Sequence, residues 1–209
     1  MSRIVYVNGA YVPEEEAKVS VFDRGFLFAD AVYEVTCVLD GRLVDFAGHM
    51  ARLRRSLGQI EMPAPASDTE IEAIHRELIA RNALVEGMVY LQVTRGPADR
   101  DFAYPAQPVP SLVLFTQART LAESPSQRDG IRVISLPDIR WGLRDIKTVQ
   151  LLAASMCKMA ARSCTVLMSR RPHRMSGRLI TRMPLRCDGL SASVRAWVKR
   201  TRLGTGCAG

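Results

Sequence analysis

The sequence predicts an α/β protein in which strands dominate, and three observations carry that prediction. Short runs of β-forming residues are punctuated by Asn8-Gly9 and Asp40-Gly41. Two later stretches, 49–60 and 67–82, have the spacing or the start signal of a helix, and strand-like runs return at 85–94 and 112–116. The chain has 209 residues, 47% hydrophobic and 24% charged, enough for one large domain or two small ones.

Taken in order, residues 3–7 (RIVYV) and the following NGAYV read as a hairpin, because Asn-Gly accommodates the positive φ of a two-residue turn. Residues 23–30 form a Gly-containing loop that leads into a strand at 32–39, and Asp40-Gly41 turns the chain into a second strand at 42–46. Met50, Leu53, Leu57 and Ile60 recur every three or four places, which predicts a helix over 49–60. Ser67 followed by Glu70 has the form of a capping box, and the helix it opens runs to about 82. A polar, proline-bearing loop, RGPADRDFAYPAQPVP, separates the strands at 85–94 and 112–116. TLAESPSQRDG then reads as a linker, 130–136 as a strand, and the Ala-, Leu- and Met-rich run 149–161 as a helix with Lys147 at its entrance.

The net charge of +8 lies in one place. Residues 1–162 hold 19 Lys and Arg against 20 Asp and Glu, whereas 163–209 hold 10 against 1. A basic tail of that kind raises nucleic acid as a partner, but the remainder of the chain does not support it, and no nucleic-acid partner is expected. The tail shows no sustained period and is rich in Arg, Ser, Gly and Cys, as out-of-frame translation of a GC-rich gene would be; that reading is favoured over a native binding tail. No apolar run reaches the roughly 18–20 residues needed to span a bilayer, and the first residues have no signal-peptide pattern, so a cytoplasmic location and no membrane partner are expected. Five cysteines with no C-x-x-C pair indicate neither a disulfide framework nor a zinc site, and no metal is expected.

Lys147 is the residue whose chemistry stands out. The chain has 25 arginines and four lysines, and only a primary amine that can lose its proton forms a Schiff base. From the pentapeptide DIKTV alone, a solvated lysine at a helix start is an equally good reading. The surrounding words decide between them. FDRGFLFADAVYEV, HMARL, TRGPADRDFAYP and DIKTVQLLAA occur in the order and at spacings similar to those of class-IV pyridoxal-phosphate-dependent aminotransferases, the family of D-amino-acid and branched-chain aminotransferases and aminodeoxychorismate lyase. The resemblance covers about residues 3–162.

The resemblance implies a role for each of four residues. Lys147 would bind pyridoxal 5'-phosphate covalently and move the substrate α-proton. Arg52 would grip the cofactor phosphate, a dianion suited to a two-pronged donor; taken alone it reads as part of a solvated helix face. Tyr33 and Arg100 would trap the substrate α-carboxylate and so fix which face of the substrate is presented; taken alone they read as a packed strand tyrosine and a loop charge. The D-specific enzymes add a histidine two places after that arginine, where this chain has Phe102. Glu34 is given no role, and His49 is read as structural.

The same resemblance implies a fold-type-IV architecture: a small N-terminal α/β domain over 1–117, a linker and the start of a larger β-rich domain over 118–162, and the atypical tail beyond. Homodimers are expected for intact relatives. The implied reaction is transfer of an amino group between an amino acid and a 2-oxo acid, with D-alanine or a similar D-amino acid leading, a branched-chain L-amino acid second, and aminodeoxychorismate lysis or a non-catalytic protein with a basic binding tail behind them. The family's glutamate partner for the pyridine nitrogen has no counterpart, since the only acidic residue past Lys147 is Asp188, so weak cofactor binding and little or no activity are expected of the chain as it stands.

Overall fold

The computed structural model describes residues 2–119, 133–137, 145–152, 155 and 165–169. β1 (Ile4–Val7) and β2 (Ala10–Pro13) form the predicted hairpin about Asn8 and Gly9, whose φ angles of 48° and 101° are those the turn requires. α1 (Arg24–Phe28), β3 (Ala31–Leu39), β4 (Arg42–Leu43), α2 (Phe46–Gln59), α3 (Asp68–Arg81), β5 (Gly87–Thr94) and β6 (Ser111–Ala118) follow. Six strands make one antiparallel sheet in the order β2-β1-β6-β5-β3-β4.

The helices cover one face of this sheet. Val32, Val38, Val89, Leu91, Val93, Leu112 and Leu114 form a core with Met50, Leu53 and Leu57 of α2 and Ile71, Ile74, Leu78 and Ile79 of α3. Alternation along β3 and β5 presents every second side chain to the helices, the period-2 pattern of a sheet with one covered face. Ser67 caps α3 as expected: its hydroxyl accepts from the Glu70 amide, and the Glu70 carboxylate accepts from the Ser67 amide.

Four expectations change. The loop over 23–30 contains the short helix α1, capped by the Asp23 carboxylate on the Gly25 amide. The strand expected over 42–46 stops at Leu43 and α2 begins at Phe46, because Phe46 turns inward to meet the His75 ring edge-on at 5.2 Å rather than continuing the sheet. The helix expected from residue 149, with Lys147 at its entrance, starts later: Thr148 bridges to Val32, and among the described residues the first helical position is Leu152, with the Ser155 amide donating to the Leu151 carbonyl. Finally, the stretch past residue 162 that shows no period contains β8 (Thr165–Ser169), which pairs in parallel with β7 (Val133–Pro137). Five residues are too few to reveal a period. The remainder of the predicted helix over 149–161 and most of the basic tail lie outside the described residues. Among the described residues no helix is long and apolar enough to cross a membrane.

Candidate active site

β3 supplies the site with two adjacent residues that point opposite ways. Glu34 shares the helix-covered face with Val32 and Val38 and is completely buried, while Tyr33 faces the other side. There the Tyr33 ring stacks on Tyr90 at 5.5 Å, and Tyr90 stacks on Phe115 at 4.8 Å, an aromatic ladder across three neighbouring strands. Burial, helped by the nearby Tyr33, pushes the Tyr90 phenol up to about 12, so it stays protonated and donates to Gln92 Oε1 at 2.9 Å.

β5 occupies one edge of β3 along its length, so the segment carrying Lys147 docks on the other edge. The Tyr33 amide donates to the Lys147 carbonyl at 3.0 Å, and Thr148 bridges to Val32. Ile146 is buried in the core beside this contact. The Lys147 amide donates to Ser56 Oγ at 3.3 Å, and Lys147 Nζ lies 3.9 Å from the centroid of the Tyr33 ring, within range of a cation–π attraction. Chain segments more than one hundred residues apart in sequence thus put the lysine against the tyrosine.

Arg52 reaches the same region from α2. Its Nε and Nη2 each donate to Glu34, to Oε1 and Oε2 respectively and both at 2.6 Å, and His49 Nδ1 lies 2.8 Å from Oε2. Burial alone would raise the Glu34 pKa, but the hydrogen bonds from Arg52 and His49 outweigh it and hold the carboxyl below its ordinary value. The Arg52 guanidinium is stabilised in turn by Glu34, and the Tyr33 hydroxyl and Asp45 are close enough to add to that effect. Ser56 follows Arg52 by one helical turn, about 6 Å along the axis, so the Lys147 backbone and the Arg52 guanidinium occupy neighbouring turns of one helix face.

The fourth predicted residue stands apart. Arg100 packs against the Phe28 and Phe102 rings at 5.5 and 5.7 Å. Among the described residues no hydrogen bond, ion pair or ring contact joins it to Tyr33, Arg52 or Lys147. Phe102 is 80% exposed on the same loop. What fixes that loop is a buried network, none of whose residues the sequence singles out. Arg24 and Arg95, both almost wholly buried, share Asp30 at 2.8 and 2.7 Å. Arg24 Nη1 also donates to the carbonyls of Asp101 and Ala103, and the Arg95 guanidinium lies 3.6 Å over the Tyr104 ring. Thr94 Oγ1 donates to Asp23 Oδ2 and accepts from the Gly96 amide. The words FDRGFLFAD and TRGPADRDFAYP therefore interlock, and the signal available in the sequence is the presence of Asp23, Arg24 and Asp30 within the otherwise apolar word FDRGFLFAD.

Comparison with known proteins gives a consistent picture. The family described as "Amino-transferase class IV" matches residues 31–166. The D-alanine aminotransferase of Staphylococcus epidermidis is 36% identical over 155 residues, covering 74% of this chain and 55% of that protein. The Bacillus licheniformis D-alanine aminotransferase is 35% identical over 161 residues, covering 77% of this chain and 56% of that one. The chain thus spans little more than half the length of these relatives. In fold it resembles the Escherichia coli branched-chain amino acid aminotransferase (TM-score 0.66, 20% identity, 78% of this chain and 55% of that one). It also resembles the Pseudomonas aeruginosa 4-amino-4-deoxychorismate lyase (TM-score 0.62, 22% identity, 78% and 60%).

Proposed function

From the chain's membership of the class-IV aminotransferase family, we propose that its described residues form the lysine, phosphate and carboxylate half of a pyridoxal 5'-phosphate site for D-amino-acid transamination. The observation that carries the reading is Lys147 Nζ at 3.9 Å from the Tyr33 ring, with the Lys147 backbone held by Ser56, one helical turn from Arg52, whose side chain is partly exposed. The residues suit the group. Among the described residues no carboxylate is bonded to Lys147 Nζ, so the amine remains available, and Arg52 has donors left after pairing with Glu34.

The cofactor, once bound, supplies an electron sink for the substrate α-carbon. The chain supplies the rest. Lys147 holds the cofactor and afterwards takes the α-proton on Nζ and returns it. Arg52 binds the phosphate through the N–H groups that Glu34 does not use. Tyr33 offers its hydroxyl to the substrate α-carboxylate, and its ring supports the lysine. Arg100 belongs to the carboxylate trap in this reading, and since among the described residues it has no contact with Tyr33, Arg52 or Lys147, its loop would serve a neighbouring subunit of a homodimer. The domain division at about residue 117 is part of the same proposal.

D-alanine or a similar D-amino acid is the leading substrate, following the D-alanine aminotransferases that the chain resembles in sequence. A branched-chain L-amino acid is the second reading, favoured by Phe102 at the position where a histidine would complete the D-specific trap. Without an acidic partner for the pyridine nitrogen among residues 148–187, cofactor affinity is expected to be weak. The test is to incubate the full chain with excess pyridoxal 5'-phosphate, reduce with borohydride and map the labelled peptide. Label concentrated at Lys147 and absent from Lys147→Ala is expected; label spread evenly over the lysines would defeat the assignment.

A further inference from the structure

We infer that Glu34 and His49 are positioning residues that fix the orientation in which Arg52 meets a phosphomonoester. The inference rests on the reading of Arg52 as the phosphate-binding residue and deepens it. Glu34 lies wholly inside the protein, where an ionised carboxylate is tolerated only if its oxygens are well bonded. Its oxygens receive three contacts: Arg52 Nε on Oε1, and Arg52 Nη2 with His49 Nδ1 on Oε2. His49 and Arg52 are three residues apart on α2, which sets both on the face that overlies β3.

The hydrogen positions follow. An ionised carboxylate can only accept, so His49 donates from Nδ1, and its 3.3 Å approach to Arg52 Nη2 then sets two donors side by side and is not a hydrogen bond. His49 therefore bonds the carboxylate without competing for the arginine. The carboxylate in turn takes the Nε–Nη2 side of the guanidinium, and Nη1 has no hydrogen-bond partner among the described residues. The Arg52 side chain is 40% exposed above a carboxylate that is not exposed at all, so the pair is buried at one end and open at the other. A structural ion pair alone would not need that open end.

An unheld arginine must give up rotamer freedom when it binds an anion. Holding it beforehand removes that cost and is expected to improve phosphate affinity about tenfold. The effect should be confined to ligands that carry the phosphate. Pyridoxal, which has the aldehyde but no phosphate, should not register it.

The experiment titrates the full chain with pyridoxal 5'-phosphate and, separately, with pyridoxal, reading the borohydride-fixed adduct at Lys147. Wild type should prefer the phosphorylated ligand. Glu34→Gln should lose about tenfold in affinity for it while its affinity for pyridoxal stays unchanged. Glu34→Gln combined with Arg52→Ala should lose no more than Arg52→Ala alone. His49→Asn, which can place an amide N–H near the Nδ1 position, should retain the preference, and His49→Leu should lose part of it. The two His49 variants decide the matter if Glu34→Gln does not fold. Equal weakening toward both ligands, or additive effects of the Glu34 and Arg52 substitutions, would overturn the positioning role alone. A wild-type chain that does not distinguish the two ligands would overturn the phosphate-binding assignment of Arg52 as well.

Discussion

Two buried groups illustrate how single residues answer to their surroundings. Burial alone would raise the Glu34 pKa, but the hydrogen bonds from Arg52 and His49 outweigh it and hold the carboxyl below its ordinary value inside the protein. His75 takes the opposite course. It is fully buried on α3, its Nδ1 donates to the Ile71 carbonyl at 2.7 Å, and its Nε2 has no hydrogen-bond partner among the described residues. Burial lowers its pKa from 6.5 to about 4, so the folded protein keeps it neutral where the unfolded chain would protonate it. The contribution is fully present above pH 6.5 and is lost as pH falls toward 4, amounting to about 3 kcal/mol across that window. Urea denaturation at a series of pH values should show this loss in wild type and a shallower dependence in His75→Leu. Parallel curves for the two proteins would rule it out.

Among the elements, the loop from β5 to β6 shows how fold and site are connected. Gly96 has a φ of 86°, and a Cβ built there would lie 1.9 Å from the Val109 carbonyl oxygen. The loop can close on itself only because that atom is missing. Gly58, within α2, has nothing within 4 Å of its missing Cβ. Alanine should therefore act with opposite sign at the two positions: Gly96→Ala is expected to destabilise by about 3 kcal/mol, and Gly58→Ala to stabilise by about 0.5–1 kcal/mol. Equilibrium denaturation of both variants checks the pair, and similar midpoints would show that the loop accommodates a side chain. Arg24 ties the same loop to α1, so part of its geometry is set by a group far from Arg100 in sequence.

At the scale of the molecule, the last strand of the six-stranded sheet ends at Ala118, while β7 and β8 form a second, parallel pair among the described residues. The sequence changes character after residue 162, yet β8 begins at Thr165 and the family match extends to residue 166. Parallel pairing gives β7 a partner from beyond that boundary. A chain ending at Ser169 is therefore expected to keep the solubility and Lys147 labelling of the full chain. One ending at Arg162 should lose solubility, because it leaves β7 without its neighbour and exposes a strand edge. Equal behaviour of the two truncations would show that β8 contributes nothing.

The sequence by itself determined the local elements and the order of the family words. The Asn8-Gly9 hairpin, the Ser67–Glu70 cap and the helical spacing of Met50, Leu53 and Leu57 depend on neighbours only a few residues away, and so were legible. It also singled out Lys147, Tyr33 and Arg52, though through resemblance rather than through any local pattern. Only the tertiary structure set Lys147 over Tyr33, packed Arg100 against Phe28 and Phe102, and gave Glu34, His49, Arg24, Asp30 and Arg95 their partners. Those relations need strands and helices distant in sequence to pack together. Periodicity records which side of an element is buried; it does not record which charge on another element is waiting there.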